Sequence, residues 1–256
     1  RSTQAKTLFP YTTLFRSAHR WTKDVPMVVP EINAAHFDLI KTQKERLGTT
    51  RGFIAVKPNC SIQSYAPCLA AWKEFGPKEL VVTTYQAISG AGKTFKDWPE
   101  MVGNIIPFIG GEEEKSEQEP LRVLGKVENG QIVKAELPKI TCQCVRVPVL
   151  NGHTAAVFVK FRKKPTKEQL IEALRNFKGL PQELELPSAP KQFIQYLEED
   201  NRPQVKMDVN FENGMGISVG RLREDTVYDW KFVGLSHNTV RGAAGGAVLC
   251  AETLKA

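Results

Sequence analysis

Residues 52–56 read GFIAV, an apolar run with the length and flanks of a buried strand. Pro58-Asn59-Cys60-Ser61 follows at once. From 61 to 75 the apolar residues Ile62, Tyr65, Ala66, Leu69 and Trp72 then recur at helical spacing. A buried strand that bends straight into a helix commits this part of the chain to a layered α/β arrangement. It also sets Cys60 at the bend, where free backbone N–H groups and the positive end of a helix dipole lower a thiol pKa.

Around this bend the pattern alternates and then changes. Residues 25–29 (VPMVV) predict a short strand running into Pro30, with Asn33 as the N-cap of a helix over 34–44. Residues 79–86 predict a strand ending in the loop Ser89-Gly90-Ala91-Gly92, and the acidic stretch 111–118 around Lys115 a helix or its start. Strands over 140–149 and 154–161 are joined by Leu150-Asn151-Gly152-His153, where Asn-Gly is a turn signal. Thr166 opens an amphipathic helix over 167–176, with Glu168 and Gln169 close behind the cap. A short helical piece is expected at 191–197, strands at 205–211, 216–221 and 230–233, and a closing helix over 238–254 that starts in small residues (RGAAGGA). Helices and strands alternating early, then mostly strands, predict α/β passing into α+β.

Residues 7–17 (TLFPYTTLFRS) match the translation of a common sequencing adapter, so residues 1–17 are set aside as non-native. The expectation that follows is a natural chain continuing upstream, with this one starting inside a fold. The net charge of +7 owes Arg1, Lys6 and Arg16 to that segment, which leaves 32 basic against 28 acidic residues. These are scattered and fit no nucleic-acid-binding pattern, so no nucleic-acid partner is expected. No apolar run of about 18 residues predicts a membrane span, and no stretch reads as a signal peptide. Five cysteines, an odd number, predict no disulfide framework and a reducing, cytoplasmic home.

Among the cysteines, Cys68 lies inside the predicted helix, Cys142 and Cys144 alternate in a strand, and Cys250 sits in the last helix, all as small core hydrophobes. Cys60 alone has the position of a nucleophile, set against the common case of a buried structural thiol. His153 follows the Asn-Gly turn, where a side chain can project into a cleft, but composition does not separate it from His237 as a proton carrier. Cys142-x-Cys144 has no second pair at zinc spacing, so no metal is expected. Residues 87–94 (AISGAGKT) nearly fit a phosphate-binding P-loop, but Pro99 stops any long helix after it.

Five separated segments in consistent order then resemble one family. They are Pro58-Asn59-Cys60-Ser61, residues 84–92 (TYQAISGAG), 104–115 (NIIPFIGGEEEK), 145–153 (VRVPVLNGH) and 238–246 (NTVRGAAGG). They are similar to aspartate-semialdehyde dehydrogenases of the branch found in archaea, fungi and some bacteria, from about Ala18 to the C-terminus. The resemblance implies an NADP-dependent enzyme making L-aspartate 4-semialdehyde from L-aspartyl 4-phosphate, on the route to lysine, threonine and methionine. It implies Cys60 as nucleophile and His153 as acid/base, with Gln86 and Asn59 around the reacting carbonyl. Arg146 would hold the substrate α-carboxylate, Glu112 and Lys115 the amine and phosphate, and Arg20 the phosphate a second time. Ser89, Gly90, Ala91, Gly92 and Asn238 would contact NADP.

The family's fold is a Rossmann-type NADP domain plus an α+β catalytic and dimerisation domain with a mainly antiparallel sheet. No G-x-G-x-x-G follows a strand here, so the NADP domain is expected to be incomplete by about 100 residues, and this fragment to turn over weakly or not at all. The expected division is 1–17 non-native, 18–58 a remnant of the NADP domain, 59–236 the catalytic and dimerisation domain, and 237–256 a helix returning to the NADP domain. The partners expected are a small-molecule substrate, phosphate, and further copies of the chain as a homodimer or homotetramer. The rival readings are a malonyl-coenzyme A reductase on the same scaffold and a non-catalytic dimerisation module.

Overall fold

The computed structural model describes residues 17–256 and the strand Leu14–Phe15 (β1); the rest of the segment 1–17 lies outside the described residues. Next along the chain are the helices Pro30–Asn33 (α1) and Leu39–Leu47 (α2), the strand Ile54–Ala55 (β2), the helix Ala66–Ala71 (α3) and the strand Pro77–Gln86 (β3). The helix Glu112–Val123 (α4) leads to the hairpin Lys126–Glu128 (β4) and Gln131–Val133 (β5), then to the strands Lys139–Arg146 (β6) and His153–Phe161 (β7). The helices Lys167–Asn176 (α5) and Leu180–Glu183 (α6), the strand Ile194–Leu197 (β8) and the helix Val205–Asp208 (α7) follow. The strands Ile217–Glu224 (β9) and Trp230–Ser236 (β10) and the helix Gly245–Lys255 (α8) close the chain.

Six strands form one sheet in the order β6-β3-β7-β10-β9-β8. The three central pairings are antiparallel and the two outer ones parallel, so the sheet is mainly antiparallel as expected. The short parallel pairings of β1 with β2 and of Met27 with Val56 stand apart from it and form the α/β part. Along β7 the buried residues are every second one, His153, Ala155, Val157, Val159 and Phe161, because strand side chains alternate between faces. The same face carries Leu80 and Val82 of β3 and Phe232 of β10. Onto it pack Tyr65, Leu69 and Trp72, the helically spaced residues of the sequence. Trp72 meets Phe161 and Phe232 edge-to-face and donates its ring N–H to the Leu170 carbonyl, so its one polar atom is satisfied in the core. The opposite face, with Val81, Thr83, Tyr85, Ala156, Phe158 and Val233, is only partly covered.

The single helix expected over 61–75 is three pieces. Tyr65 has φ −141°, Ser64 donates its hydroxyl to the Ser61 carbonyl, and Pro67 restarts the helix, so a 3-10 turn Ser61–Ser64 precedes α3. That turn lies flush on β10. A methyl added at Gly234 would stand 1.8 Å from the Ser64 carbonyl oxygen, so the glycine is required by close approach.

Four further expectations are corrected. Residues 140–149 and 154–161 are not a hairpin pair, because β3 lies between β6 and β7. Residues 191–197 supply the edge strand β8, with Ile194 buried opposite Ile217; sheet pairing overrides a weak helical pattern. Residues 205–211 form α7 and a following turn. Asp208 accepts from the Gln204 N–H at 2.6 Å and pairs with Arg202, so a side-chain cap wins over an alternating pattern. Asn33 is not the expected cap either: it bridges the Val29 N–H and the Met27 carbonyl, each at 2.8 Å.

Candidate active site

Strand register creates the site. Gln86 ends β3 directly opposite Arg146, which ends the parallel strand β6, while His153 begins the antiparallel strand β7 on the other side. All three point to the buried face, so one sheet edge carries Arg146, Gln86 and His153 in a row. Ala87, the next residue, holds two of them by its backbone. Its N–H donates to His153 Nδ1 at 3.0 Å, and its carbonyl accepts from Arg146 Nη1 at 2.7 Å. Asn238, just past β10, ties in the loops: its carbonyl accepts from the Gly152 N–H and its amide donates to Ser89 Oγ, each at 2.8 Å.

Cys60 faces this row from the 3-10 turn. Asn59 sets that turn: its Oδ1 accepts from the N–H and hydroxyl of Ser61 at 2.8 and 2.9 Å, and its Nδ2 donates to Glu112 at 2.7 Å. The Asn59 N–H donates to Glu119, which also pairs with Arg20. Glu112 further accepts from Gln86 at 3.3 Å and from Lys115 at 2.8 Å. A cleft of about 450 Å³ opens above, lined by Arg20, Lys57, Asn59, Cys60, Ser89, Gly90, Glu112, Lys115, Asn238 and the small residues Gly242, Ala243, Ala244 and Ala247. His153 and Arg146 stand behind Gly90; a methyl added there would lie 3.1 Å from both side chains. Among the described residues Cys60 makes no hydrogen bond to His153; Gly90, which the His153 ring backs, lines the cleft with Cys60.

The electrostatics differ from the sequence expectation. Burial and then the Glu112 carboxylate push the Cys60 thiol up to about 11, against Lys57, the backbone and Arg146, which pull it down. A short 3-10 turn has little dipole to offset burial. Glu112 is held below the usual carboxylate range, because the hydrogen bonds from Lys115 and Asn59 outweigh burial. Burial, then Arg146, pushes His153 down to about 3, so its imidazole is neutral. Accepting from Ala87 at Nδ1 puts the proton on Nε2, an atom fully buried and without a hydrogen-bond partner beside Gly90.

This neutral histidine makes stability pH-dependent. The folded pKa lies below the ordinary 6.5, so protonation favours the unfolded chain. The full contribution is present above 6.5 and is lost as pH falls toward 3. His36 and His237 shift in the same direction. His153→Gln, whose amide oxygen can still accept from Ala87, is expected to remove about 1.4 kcal/mol per pH unit from the slope of unfolding free energy between pH 6 and 4. Urea titrations at several pH values measure it; equal slopes in both proteins would refute a neutral buried ring.

The structure gathers every residue singled out in the sequence, Cys60, His153, Gln86, Asn59, Arg146, Glu112, Lys115, Arg20, Ser89, Gly90, Ala91, Gly92 and Asn238, at or next to this one sheet edge. Sequence reasoning missed Glu119, Lys57 and the backbone of Ala87. Glu119 had a signal: with Glu112, Lys115 and Ser116 it shares one face of α4 at helical spacing.

The fold is that of a semialdehyde dehydrogenase, and residues 68–241 match the family model described as the semialdehyde dehydrogenase dimerisation domain. The aspartate-semialdehyde dehydrogenase of Methanothermobacter thermautotrophicus is 43% identical over 93% of this chain and 69% of its own length. That of Schizosaccharomyces pombe is 45% identical over 91% of this chain and 67% of its own. The crystal structure of the Candida albicans enzyme with NADP superposes with a TM-score of 0.81 at 38% identity, covering 94% of this chain and 69% of that one. The chain belongs to the aspartate-semialdehyde dehydrogenase family. It spans about two thirds of the length of these relatives.

Proposed function

We propose that this chain supplies the catalytic residues for the NADP-dependent, phosphorylating interconversion of L-aspartyl 4-phosphate and L-aspartate 4-semialdehyde, with Cys60 as nucleophile. The observation that carries the reading is a single accessible thiol on a cleft whose walls bear cations and an acid–lysine pair, with a neutral imidazole behind Gly90. In the biosynthetic direction the Cys60 sulfur attacks the acyl carbon, the carbon–oxygen bond to phosphate breaks, and a thioester remains on Cys60. Lys115, with Arg20 beside it, receives the departing phosphate, Glu112 the substrate ammonium, and Arg146 the α-carboxylate. Asn59 and Gln86 orient the carbonyl. His153 is the acid/base of the cycle: with its one proton on Nε2, the neutral ring donates there to the oxygen of the reacting carbonyl and recovers the proton as the carbonyl re-forms.

NADPH supplies the hydride when bound. The residues present fit the reacting end of that cofactor. The Ser89–Gly92 loop is held by Asn238, and the floor of Gly242, Ala243 and Ala244 leaves room for a flat ring. Residues 18–58 and 237–256 are assigned to the cofactor side and 59–236 to the catalytic and dimerisation side. The partly covered sheet face, with Tyr85 40% exposed, is where a second copy would pack to form a homodimer. Five free cysteines fit a reducing cytoplasm.

The acylation half needs no cofactor, which makes it a direct test. Mixed with L-aspartyl 4-phosphate, the protein is expected to release one phosphate per chain and to carry the acyl adduct on the Cys60 peptide. Reduction of NADP by aspartate semialdehyde and phosphate tests the full cycle. Acylation from malonyl-coenzyme A instead, or no adduct with either, would overturn the reading.

A further inference from the structure

The cations of the cleft are not equivalent. Lys115 pairs with Glu112 and Arg20 with Glu119. Lys57 also lines the cleft, yet among the described residues its terminal nitrogen has no hydrogen-bond or ion-pair partner and is shut off from solvent, although its stem is partly exposed. An unpaired ammonium in such a place costs several kcal/mol unless something compensates it.

The closing helix shows what it lies beside. A methyl added at Gly242 would stand 2.6 Å from Cys60 Cβ, and one added at Gly246 would stand 2.2 Å from Lys57 Cε. The two glycines are four residues apart, about one turn and roughly 6 Å along one helix face. Cys60 and the end of Lys57 therefore lie side by side on a strip without side chains. We propose that Lys57 is a positioning residue for the reacting thiol: its ammonium, laid on Gly246 one turn from Cys60 on Gly242, is the cation that stabilises the Cys60 thiolate.

The surrounding charges agree. Lys57 is pushed down to about 8 by burial first and then by Arg241, against Cys250, Cys60 and Glu119. Cys60 faces Glu112, which opposes its ionisation, and Lys57 and Arg146, which favour it. Arg146 is committed to the Ala87 carbonyl, and the neutral His153 offers no charge. Lys57 thus remains as the uncommitted positive group beside the sulfur. The proton leaving Cys60 goes to solvent while Lys57 keeps its own, so thiolate forms beside the ammonium only while Lys57 is charged.

The inference rests on Cys60 as the reacting thiol, but its test needs neither substrate nor cofactor. The rate of Cys60 alkylation by iodoacetamide is followed against pH, with the site identified by peptide mass. In the unaltered protein the rate is expected to rise with pH, break near pH 8 as Lys57 loses its proton, and rise again at higher pH. Lys57→Met is expected to lower the rate at pH 7 about tenfold or more and to abolish the break. Lys57→Arg is expected to keep the neutral-pH rate and lose the break, because a guanidinium does not titrate in this range. No break in the unaltered protein, or a break that persists in Lys57→Arg, overturns the proposal. So does an unchanged rate in folded Lys57→Met. Should Cys60 alkylate with this profile but take no acyl group from aspartyl phosphate, the proposed reaction fails and the lysine–thiol coupling stands.

Discussion

Cys60→Ala is expected to lower acyl transfer from L-aspartyl 4-phosphate by about 10⁴-fold or more, with no adduct on the chain. No other thiol can take over. Cys68, Cys144 and Cys250 are fully buried and Cys142 nearly so. Burial also drives Cys68 and Cys250 well above the ordinary thiol range. The groups proposed to hold the substrate, Arg146, Glu112 and Lys115, are untouched by the change, so binding is expected to persist while chemistry is lost. Cys60→Ser is expected to fall nearly as far. Its hydroxyl is a far weaker acid than a thiol, and among the described residues no base is hydrogen-bonded at that position to activate it. Stoichiometric phosphate release by Cys60→Ala would place the chemistry elsewhere.

Glu31→Gln is expected to destabilise the fold by about 3–5 kcal/mol, a fall in Tm of roughly 10 °C. Glu31, on α1, accepts two hydrogen bonds from Arg241 at 2.6 Å each, and both side chains are essentially without solvent contact. Arg241 also donates to Gln63 at 3.3 Å in the turn after Cys60 and lies 4.5 Å over the Phe193 ring. One guanidinium therefore joins the N-terminal helices, the Cys60 turn and the closing segment. Removing one charge leaves the other buried and uncompensated, which costs more than the pair contributes. Replacing both partners, as Glu31→Met with Arg241→Met, is expected to recover much of the loss. Urea unfolding checks this; a single variant within about 1 kcal/mol of the unaltered protein would show the pair to be of little weight.

Much of the site was legible because its chemistry is carried by residue types at short spacing. The bend that sets Cys60 after a short strand and the acidic helix start at Glu112 and Lys115 are local patterns. The capping box at Thr166 was legible for the same reason: Thr166 and Gln169 bond each other across three residues. Residues 191–197 and 205–211 failed where local pattern and tertiary demand disagreed, the first drawn into the sheet edge and the second capped by Asp208. The order β6-β3-β7 was not legible, because nothing in residues 140–161 states that a strand from residue 77 onward will lie between them.

Taken alone, the amino-acid sequence determined which side chains could react, where the chain bends, and to which family it belongs. Only the tertiary structure decided that Arg146, Gln86 and His153 share one row, that Cys60 and Lys57 share one helix face, and that the imidazole is neutral while the thiol is raised. The physical reason is that register and desolvation are properties of neighbours distant in sequence. A pKa depends on what is packed around a group, and the residues packed around Cys60 come from positions as far apart as 57, 112, 146 and 242.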